Sequence, residues 1–224
     1  MKRTLIAIIL VGAVSALVGA GTYAYFFDTA DSTGNTFTAG TLDLKISDGD
    51  EPYADSVYGT WSMSNMKPGD ECWGRILLKR EGNIPADHLE ITCDYIVIEE
   101  SPQTPSDTDP NTNEHPDNMA KYMIITQMYY YNDNWNVDLL TDDGYDKGYD
   151  VSTGETGPKL TDYDGDGKLT LYDLKYAGLD NLWPPDGATH LEMRIKFDED
   201  SGSDFQGDTL NLTMIFTLNQ HPSQ

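Results

Sequence analysis

The sequence predicts an all-β fold of the jelly-roll or β-sandwich type, with a calcium-binding loop and a helix inserted into it. Three observations lead to this prediction. Apolar and polar residues alternate in most of the ordered segments, which is the period of a strand with one buried face. Residues that favour turns separate these segments. Between two of them lies an acidic loop of the kind that binds calcium.

Six segments carry the alternating pattern. In the clearest, 190–200, Leu191, Met193 and Ile195 face one way and charged residues face the other. Segment 88–100 becomes apolar on both sides, as expected for a central strand. The other segments are 41–47, 73–79, 121–131 and 209–220. About six or seven short strands with turns between them are typical of a β-sandwich.

The N-terminal residues 1–24 have the features of a secretion signal. Two basic residues precede an uncharged run, and Thr22 and Ala24 are small residues at the positions that a signal peptidase recognises. We therefore expect a signal peptidase to cut between Ala24 and Tyr25 and the mature chain to be exported. The uncharged run is long enough, at about 1.5 Å per residue, to span a bilayer. An uncut membrane anchor is the alternative.

The charge of the chain limits its partners. It has 38 acidic and 14 basic residues, a net charge of −24. Nucleic acids and anionic membranes attract cationic surfaces, so we expect neither as a partner. A charge of this sign favours solubility and the binding of cations.

Two insertions interrupt the β domain, which we place at residues 41–220. Residues 99–118 are rich in Pro, Asp, Asn and Thr and are expected to form an exposed loop. Residues 132–188 are dense in Asp, Gly and Tyr and contain the acidic loop. We expect a helix in 169–182, which overlaps the end of that loop.

The acidic loop, "DYDGDGKLTLYD" at residues 162–173, fits the EF-hand calcium pattern at each diagnostic position. Three aspartates stand at positions 1, 3 and 5, and Gly167 at position 6 permits the sharp turn. The predicted calcium ligands are Asp162, Asp164, Asp166, the backbone carbonyl of Lys168, Thr170 and Asp173. The alternative is an acidic turn without an ion.

Cys72 and Cys93 form an even pair in a chain that we expect to be exported to an oxidising compartment. A disulfide between them is therefore predicted. The alternative is two buried free thiols, which many core strands contain.

Catalytic motifs are missing from the sequence. The tripeptide His-Leu-Glu begins at His88 and again at His190, but neither copy has the second histidine of the HExxH metallopeptidase motif. The chain also lacks a GxSxG elbow, a P-loop and a dinucleotide fingerprint. We therefore expect no catalytic residues, no small-molecule substrate and no enzymatic activity.

Several stretches together resemble one family, the TasA/camelysin-type secreted proteins. They are "GAGTYAYF" and "TFTAGTLDLKI" near the N-terminus, "NMKPGDECWGRILLKREGNIPADHLEI" and "DFQGDTLNLTMIFTLNQ". The resemblance implies a jelly-roll domain, processed by a SipW-type signal peptidase and secreted to the cell surface. It also implies a homopolymer, since biofilm matrix fibres and archaeal bundling pili of this type join subunits head to tail by donor-strand complementation.

Residues 25–40 are the candidate donor strand. Tyr25 and Phe27 share one face of an extended segment, Phe26 lies on the other, and Phe37 follows further on. A free apolar strand templates association, and in a polymer that association is useful. The alternative is that this segment pairs within its own subunit.

The sequence thus predicts a secreted structural subunit of an extracellular filament at the cell surface. One alternative is a camelysin-like surface metallopeptidase, and another is a calcium-dependent adhesion or docking module.

Asn211, in the only N-glycosylation sequon "NLT", faces away from the predicted apolar side of its strand. It is a candidate for glycosylation, and an unmodified side chain is the alternative.

Overall fold

The six alternating segments form six strands, and two shorter strands join them. The computed structural model describes residues 42–49, 52–55, 61, 66–99, 114–140, 158–203, 205 and 207–221. The strands are β1 (Leu42–Ser47), β2 (Glu71–Gly82), β3 (His88–Ile98), β4 (Met123–Tyr131), β5 (Asn136–Asp138), β6 (Leu179–Leu182), β7 (Thr189–Phe197) and β8 (Thr209–Asn219). Two short helices, α1 (Pro116–Ala120) and α2 (Leu171–Tyr176), and a 3₁₀ turn (Glu199–Ser201) complete the described elements.

The strands make two antiparallel sheets. The first has the order β1-β2-β7-β4-β5 and the second the order β6-β3-β8. Their apolar faces contribute to one buried cluster, to which β7 adds Leu191, Met193 and Ile195 and β3 adds Leu89 and Ile91. The predicted all-β sandwich is confirmed.

The predicted helix after the acidic loop is shorter than expected. The spacing of leucines over 169–182 suggested one continuous helix, but α2 ends at Tyr176 and β6 follows it. Gly178 lies just beyond the helix with φ of 66°. Glycine in this left-handed conformation ends helices, because other residues are strained there. The chain then turns back and pairs with β3.

The expected disulfide between Cys72 and Cys93 does not form, so that prediction is wrong for this structure. Both residues are free thiols. They lie in different sheets, where Cys72 is opposite Ile195 and Cys93 is opposite Met214. The alternative that the sequence left open was two buried free thiols. Cys93 is buried, and Cys72 is only partly buried.

Several predictions fall on residues outside the described ranges. They are the signal peptide, the Ala24–Tyr25 cleavage site and the donor strand 25–40. Most of the proposed loop 99–118 and part of the insertion 132–188 also lie outside them. Within the described ranges, no helix has the length and apolar character needed to cross a membrane.

Candidate functional site

The acidic loop curls around the carboxylate of Asp162. Its two oxygens accept hydrogen bonds from the backbone N–H groups of Gly165 (2.7 Å), Asp166 (3.2 Å) and Gly167 (2.7 Å). The two glycines have φ of 76° and 84°, a conformation that lets the chain turn this sharply. Carboxylate oxygens of Asp162, Asp164 and Asp166 thereby lie within 4.8 Å of one another. The structure brings together the first three predicted calcium ligands.

Asp164 in this loop has a positively charged neighbour. The Nζ of Lys121, at the end of α1, lies 2.8 Å from its carboxylate and 4.3 Å from the centre of the Tyr172 ring. The hydrogen bond with Lys121 holds the pKa of Asp164 below its usual value, and the same bond raises the pKa of Lys121. The Lys121 ammonium group would therefore compete with a cation bound by this carboxylate.

Thr170 and Asp173, the last two predicted ligands, are buried and form a capping box at the start of α2. One carboxylate oxygen of Asp173 accepts hydrogen bonds from the N–H and the hydroxyl of Thr170, both at 2.7 Å. The other accepts from the N–H of Tyr163 at 2.8 Å. Asp173 thus joins the beginning of the loop to the helix. Its role as a calcium ligand, and that of Thr170, stay predictions.

The loop is fixed to the first sheet through β4. The N–H of Ile125 donates to the carbonyl of Leu169 (2.7 Å), and the Leu169 side chain packs against the core, as the loop pattern predicts. The ammonium group of Lys168 pairs with Asp198 near the 3₁₀ turn. The backbone of the loop is therefore held in its turn by contacts that need no ion.

A second candidate site is the free edge of β8. This strand has eleven residues and ends the second sheet, and no described strand pairs with its outer edge. Its sequence, "TLNLTMIFTLN", contains no charged residue. The apolar side chains on its inner face are only partly buried against the core: Leu212, Met214, Phe216 and Leu218. β8 also contacts β1, the edge strand of the first sheet.

Asn211 lies on the outer face of β8 and is exposed. This agrees with the orientation that the alternating pattern predicts. Its glycosylation stays a prediction.

The third candidate site was missed by sequence reasoning. The Nε2 atom of His88 lies 3.3 Å from a carboxylate oxygen of Glu90 and 3.3 Å from one of Asp180. Burial lowers the pKa of the His88 imidazole, but hydrogen bonds to Asp87 and Glu90 and the charge of Asp180 outweigh it, so that its pKa is raised. These three side chains form a group with metal-ligating character.

One part of this group has a sequence signal and the other has none. His88 and Glu90 are two residues apart on a predicted strand, so their side chains point to the same face. The HExxH motif has the spacing of a helix, and this pair, which has the spacing of a strand, does not fit it. Asp180 comes close because β6 pairs with β3. The sequence pattern suggested a helix there, so this neighbour could not be predicted.

The whole chain, residues 1–224, matches the model of the camelysin metallo-endopeptidase family, peptidase M73. The chain belongs to this family. Membership confirms the resemblance to TasA/camelysin-type proteins and makes the chain a surface or secreted protein. A comparison with curated proteins gives no significant match.

Family membership also corrects one prediction. We expected no enzymatic activity because catalytic motifs are missing, but the family is described as one of metallo-endopeptidases. That expectation is therefore wrong as it was made. The expectation was based on short motifs whose residues are close in sequence, whereas metal ligands on paired strands can be far apart in sequence. A metallopeptidase family also implies a metal ion, and the described residues contain two groups that could hold one.

Proposed function

We propose that this chain is a subunit of an extracellular filament at the cell surface. Residues 25–40 of one copy would pair with β8 of the next, so that subunits join head to tail. Such a contact does not close on itself and continues into a filament. The observation that carries the proposal is the long, uncharged free edge of β8.

The other sheet edges are protected against association. β5 and β6 have only three and four residues. β1 carries Asp43 and Lys45, and a bridge between Ile46 and Ala54 covers part of its edge. Short strands, charges and covering segments are the means by which proteins prevent edge-to-edge pairing. β8 is long and uncharged, and although β1 lies near it, no described strand pairs with its outer edge. This is expected of a strand that accepts a partner.

The proposed donor fits this edge in length and pattern. Sixteen residues at about 3.3 Å each can follow the whole of an eleven-residue strand. Tyr25, Phe27 and Phe37 are large side chains that would cover the partly buried row on β8. Burial of three aromatic side chains would contribute about 4 to 9 kcal/mol before ordering costs. Backbone hydrogen bonds would add affinity, as in other cases of strand addition.

We further propose that the acidic loop binds calcium. Three carboxylates already converge, and hard oxygen ligands are those that calcium prefers. The ion would stabilise the segment that leads into α2. A melting curve measured in excess EDTA and in excess calcium tests this. A higher melting temperature with calcium is expected, and identical curves would contradict it.

Electron microscopy tests the filament. Negative-stain images would compare the mature chain with a variant that lacks Tyr25–Thr36. The intact chain is expected to form filaments and the shortened chain to stay monomeric. If both chains stay monomeric over a range of calcium and salt concentrations, the N-terminal segment does not join subunits.

A peptide gives a second test of the same contact. A synthetic peptide of residues 25–40 should bind the shortened chain and raise its melting temperature. At a peptide concentration of about 100 times Kd, the stabilisation is about 2.7 kcal/mol, or roughly 5 to 11 °C for a domain of this size. A control peptide with Tyr25, Phe27 and Phe37 replaced by serine should have no effect.

The second candidate function is a surface metallo-endopeptidase, which the description of the family favours. Casein hydrolysis by the mature chain, lost with a chelator and restored with zinc, would support it. The same activity must persist through purification to homogeneity. It must also disappear in a variant in which a metal-ligating side chain is replaced. The two functions are compatible, since the His88 group lies on the side of β8 that pairs with β3, and the proposed donor strand would bind the opposite edge.

A further inference from the structure

His88, Glu90 and Asp180 come together because of a bulge between β3 and β6. Leu89 pairs with Leu182 and Ile91 with Leu179, so two residues of β6 lie opposite one residue of β3. The two residues on the β6 side of this bulge are Asp180 and Asn181, and Asn181 has a φ of 62°. Bulges re-aim side chains and are frequent beside functional sites. Here the bulge places the Asp180 carboxylate next to the imidazole of His88.

The distances from His88 Nε2 to the two carboxylates match the spacing of neighbouring ligand atoms around a metal ion. The two distances from His88 Nε2 to the carboxylate oxygens are both 3.3 Å. In a tetrahedral zinc site with bonds of about 2.0 to 2.1 Å, neighbouring ligand atoms are about 3.3 to 3.4 Å apart. Hydrogen bonds from N–H to oxygen are usually about 2.9 to 3.0 Å.

The surrounding side chains orient the ligands as metal sites require. The Nδ1 atom of His88 lies 3.1 Å from the carboxylate of Asp87, which selects the tautomer whose Nε2 is an acceptor. The side-chain amide nitrogen of Asn219 lies 3.1 Å from this Nε2, so a bound metal ion would displace that contact. Asn219, at the end of β8, donates a hydrogen bond of 2.7 Å to Glu90. The side chain of His88 is 5% exposed, so its position is well constrained. A histidine held by one carboxylate and facing a metal is a recurrent arrangement.

A pocket lies beside this group. It has a volume of about 320 Å³, and its walls include both carboxylate ligands, Glu90 and Asp180, together with Lys175 and Gly178. A site with three protein ligands leaves one position for water or for a carbonyl oxygen of a ligand. The pocket is where such a molecule would enter.

We propose that His88, Glu90 and Asp180 bind one zinc-class divalent ion whose remaining coordination position faces this pocket. Imidazole nitrogen with two carboxylate oxygens favours zinc over calcium, which takes oxygen ligands only. The proposal rests on neither candidate function. A zinc ion here would tie β3 to β6 in a filament subunit, and it would supply a Lewis acid in a peptidase.

The second His-Leu-Glu tripeptide, at 190–192 on β7, provides a matched control. Its glutamate is already engaged, since Glu192 accepts hydrogen bonds from the indole of Trp73 (3.0 Å) and the hydroxyl of Tyr131 (3.2 Å). The ring of His190 stacks on that of Tyr131. Among the described residues, no third ligand joins this pair in a metal-binding group.

Zinc binding to the full mature chain tests the proposal. Calcium is present in excess, so that the acidic loop is filled before Zn²⁺ is titrated by calorimetry. One equivalent of Zn²⁺ is expected per chain. Glu90→Gln and Asp180→Asn should each weaken binding by roughly tenfold or more, whereas Glu192→Gln should leave it unchanged. Bound Co²⁺ should give a visible absorption spectrum that the first two variants lose.

The outcomes separate this proposal from the candidate functions. The proposal is overturned if the mature chain binds no Zn²⁺ in the presence of excess calcium. It is also overturned if Glu192→Gln weakens Zn²⁺ binding as much as Glu90→Gln does. Neither result would affect filament formation. Zinc binding without casein hydrolysis would support the site and count against the peptidase. Asp180 is on the surface, so Asp180→Asn is expected to fold, and its melting temperature without metal checks this.

Discussion

The Nζ of Lys121 lies 2.8 Å from a carboxylate oxygen of Asp164, so that α1 supplies a positive charge directly to the acidic loop. The same ammonium lies over the ring of Tyr172. If the loop binds calcium, the two cations repel each other. Lys121→Met keeps an apolar contact with Tyr172 and removes the charge. We expect the calcium affinity to rise roughly two- to tenfold, since a nearby exposed charge contributes little more than this. Calorimetric titration with calcium measures it.

Lys79→Met is the control for this change. Lys79 pairs with Glu81 on β2, at 2.9 Å, and the pair is also exposed. Loss of a positive charge there alters the net charge by the same amount. Calcium affinity equal in both variants would mean that Lys121 does not act on the loop.

Asp173→Asn separates helix capping from ligation of calcium. The carboxylate accepts three hydrogen bonds, and an amide nitrogen in place of one oxygen can accept none. Loss of a hydrogen bond to a buried charged group costs about 1 to 3 kcal/mol. We therefore expect a melting temperature in EDTA that is lower by roughly 2 to 12 °C. Differential scanning calorimetry with and without calcium provides the comparison.

Asp166→Asn is expected to behave in the opposite way. Among the described residues, one oxygen of Asp166 accepts the N–H of Lys168 (2.8 Å), which an asparagine oxygen can also do. The melting temperature of the Asp166→Asn variant in EDTA should change little, while the increase in melting temperature on adding calcium should be smaller. If calcium raises the melting temperature of Asp173→Asn as much as that of the unchanged chain, Asp173 caps the helix and is not a calcium ligand.

The alternating segments predicted most of the fold because they are long. All six have a strand counterpart in β1, β2, β3, β4, β7 and β8, with ends shifted by a few residues. β5 and β6 have only three and four residues, too few for a periodic pattern to be visible. The sequence 169–182 has leucines at helical spacing, and only the conformation of Gly178 divides it into a helix and a strand.

The candidate sites differ in how far the sequence predicts them. The acidic loop is contiguous, so its first three ligands could be named from their spacing. The group around His88 needs Asp180, some ninety positions further along the chain, and strand pairing alone brings it there. The free edge of β8 depends on sheet order, because the strand pattern does not reveal which strand lies at an edge.

The two cysteines give a direct test of the corrected disulfide prediction. Burial raises the pKa of the Cys72 thiol to about 11 and that of Cys93 to about 12. Thiolate is the reactive form, so both groups should react slowly with an alkylating reagent at pH 8 in the folded chain. After unfolding without reductant, mass spectrometry should find two modified cysteines. If neither cysteine reacts after the chain is unfolded without reductant, the chain contains the disulfide. Cys93→Ser should leave one reactive group.

The final prediction concerns the edge of β8 and compares two neighbouring positions on it. Met214 belongs to the partly buried inner row and Thr213 is exposed on the outer face. A lysine that points inward from an edge strand prevents pairing, because the incoming strand would bury its charge. Met214→Lys is therefore expected to give monomers, while Thr213→Lys, opposite Asp94 on β3, should still give filaments. Negative-stain microscopy and sedimentation velocity report the difference.

The two variants carry the same added charge, so a difference between them reflects the side of the strand and not the charge of the chain. A cooperative melt must accompany the Met214→Lys monomer, since an unfolded chain would also fail to polymerise. Leu218→Lys, near the end of the same row, provides a second inward charge where the fold is less sensitive, because strand ends are less tightly packed. Filaments of equal length from all three variants would mean that the donor strand binds elsewhere. Monomers from Met214→Lys and Leu218→Lys alone would place the junction on the inner side of this edge.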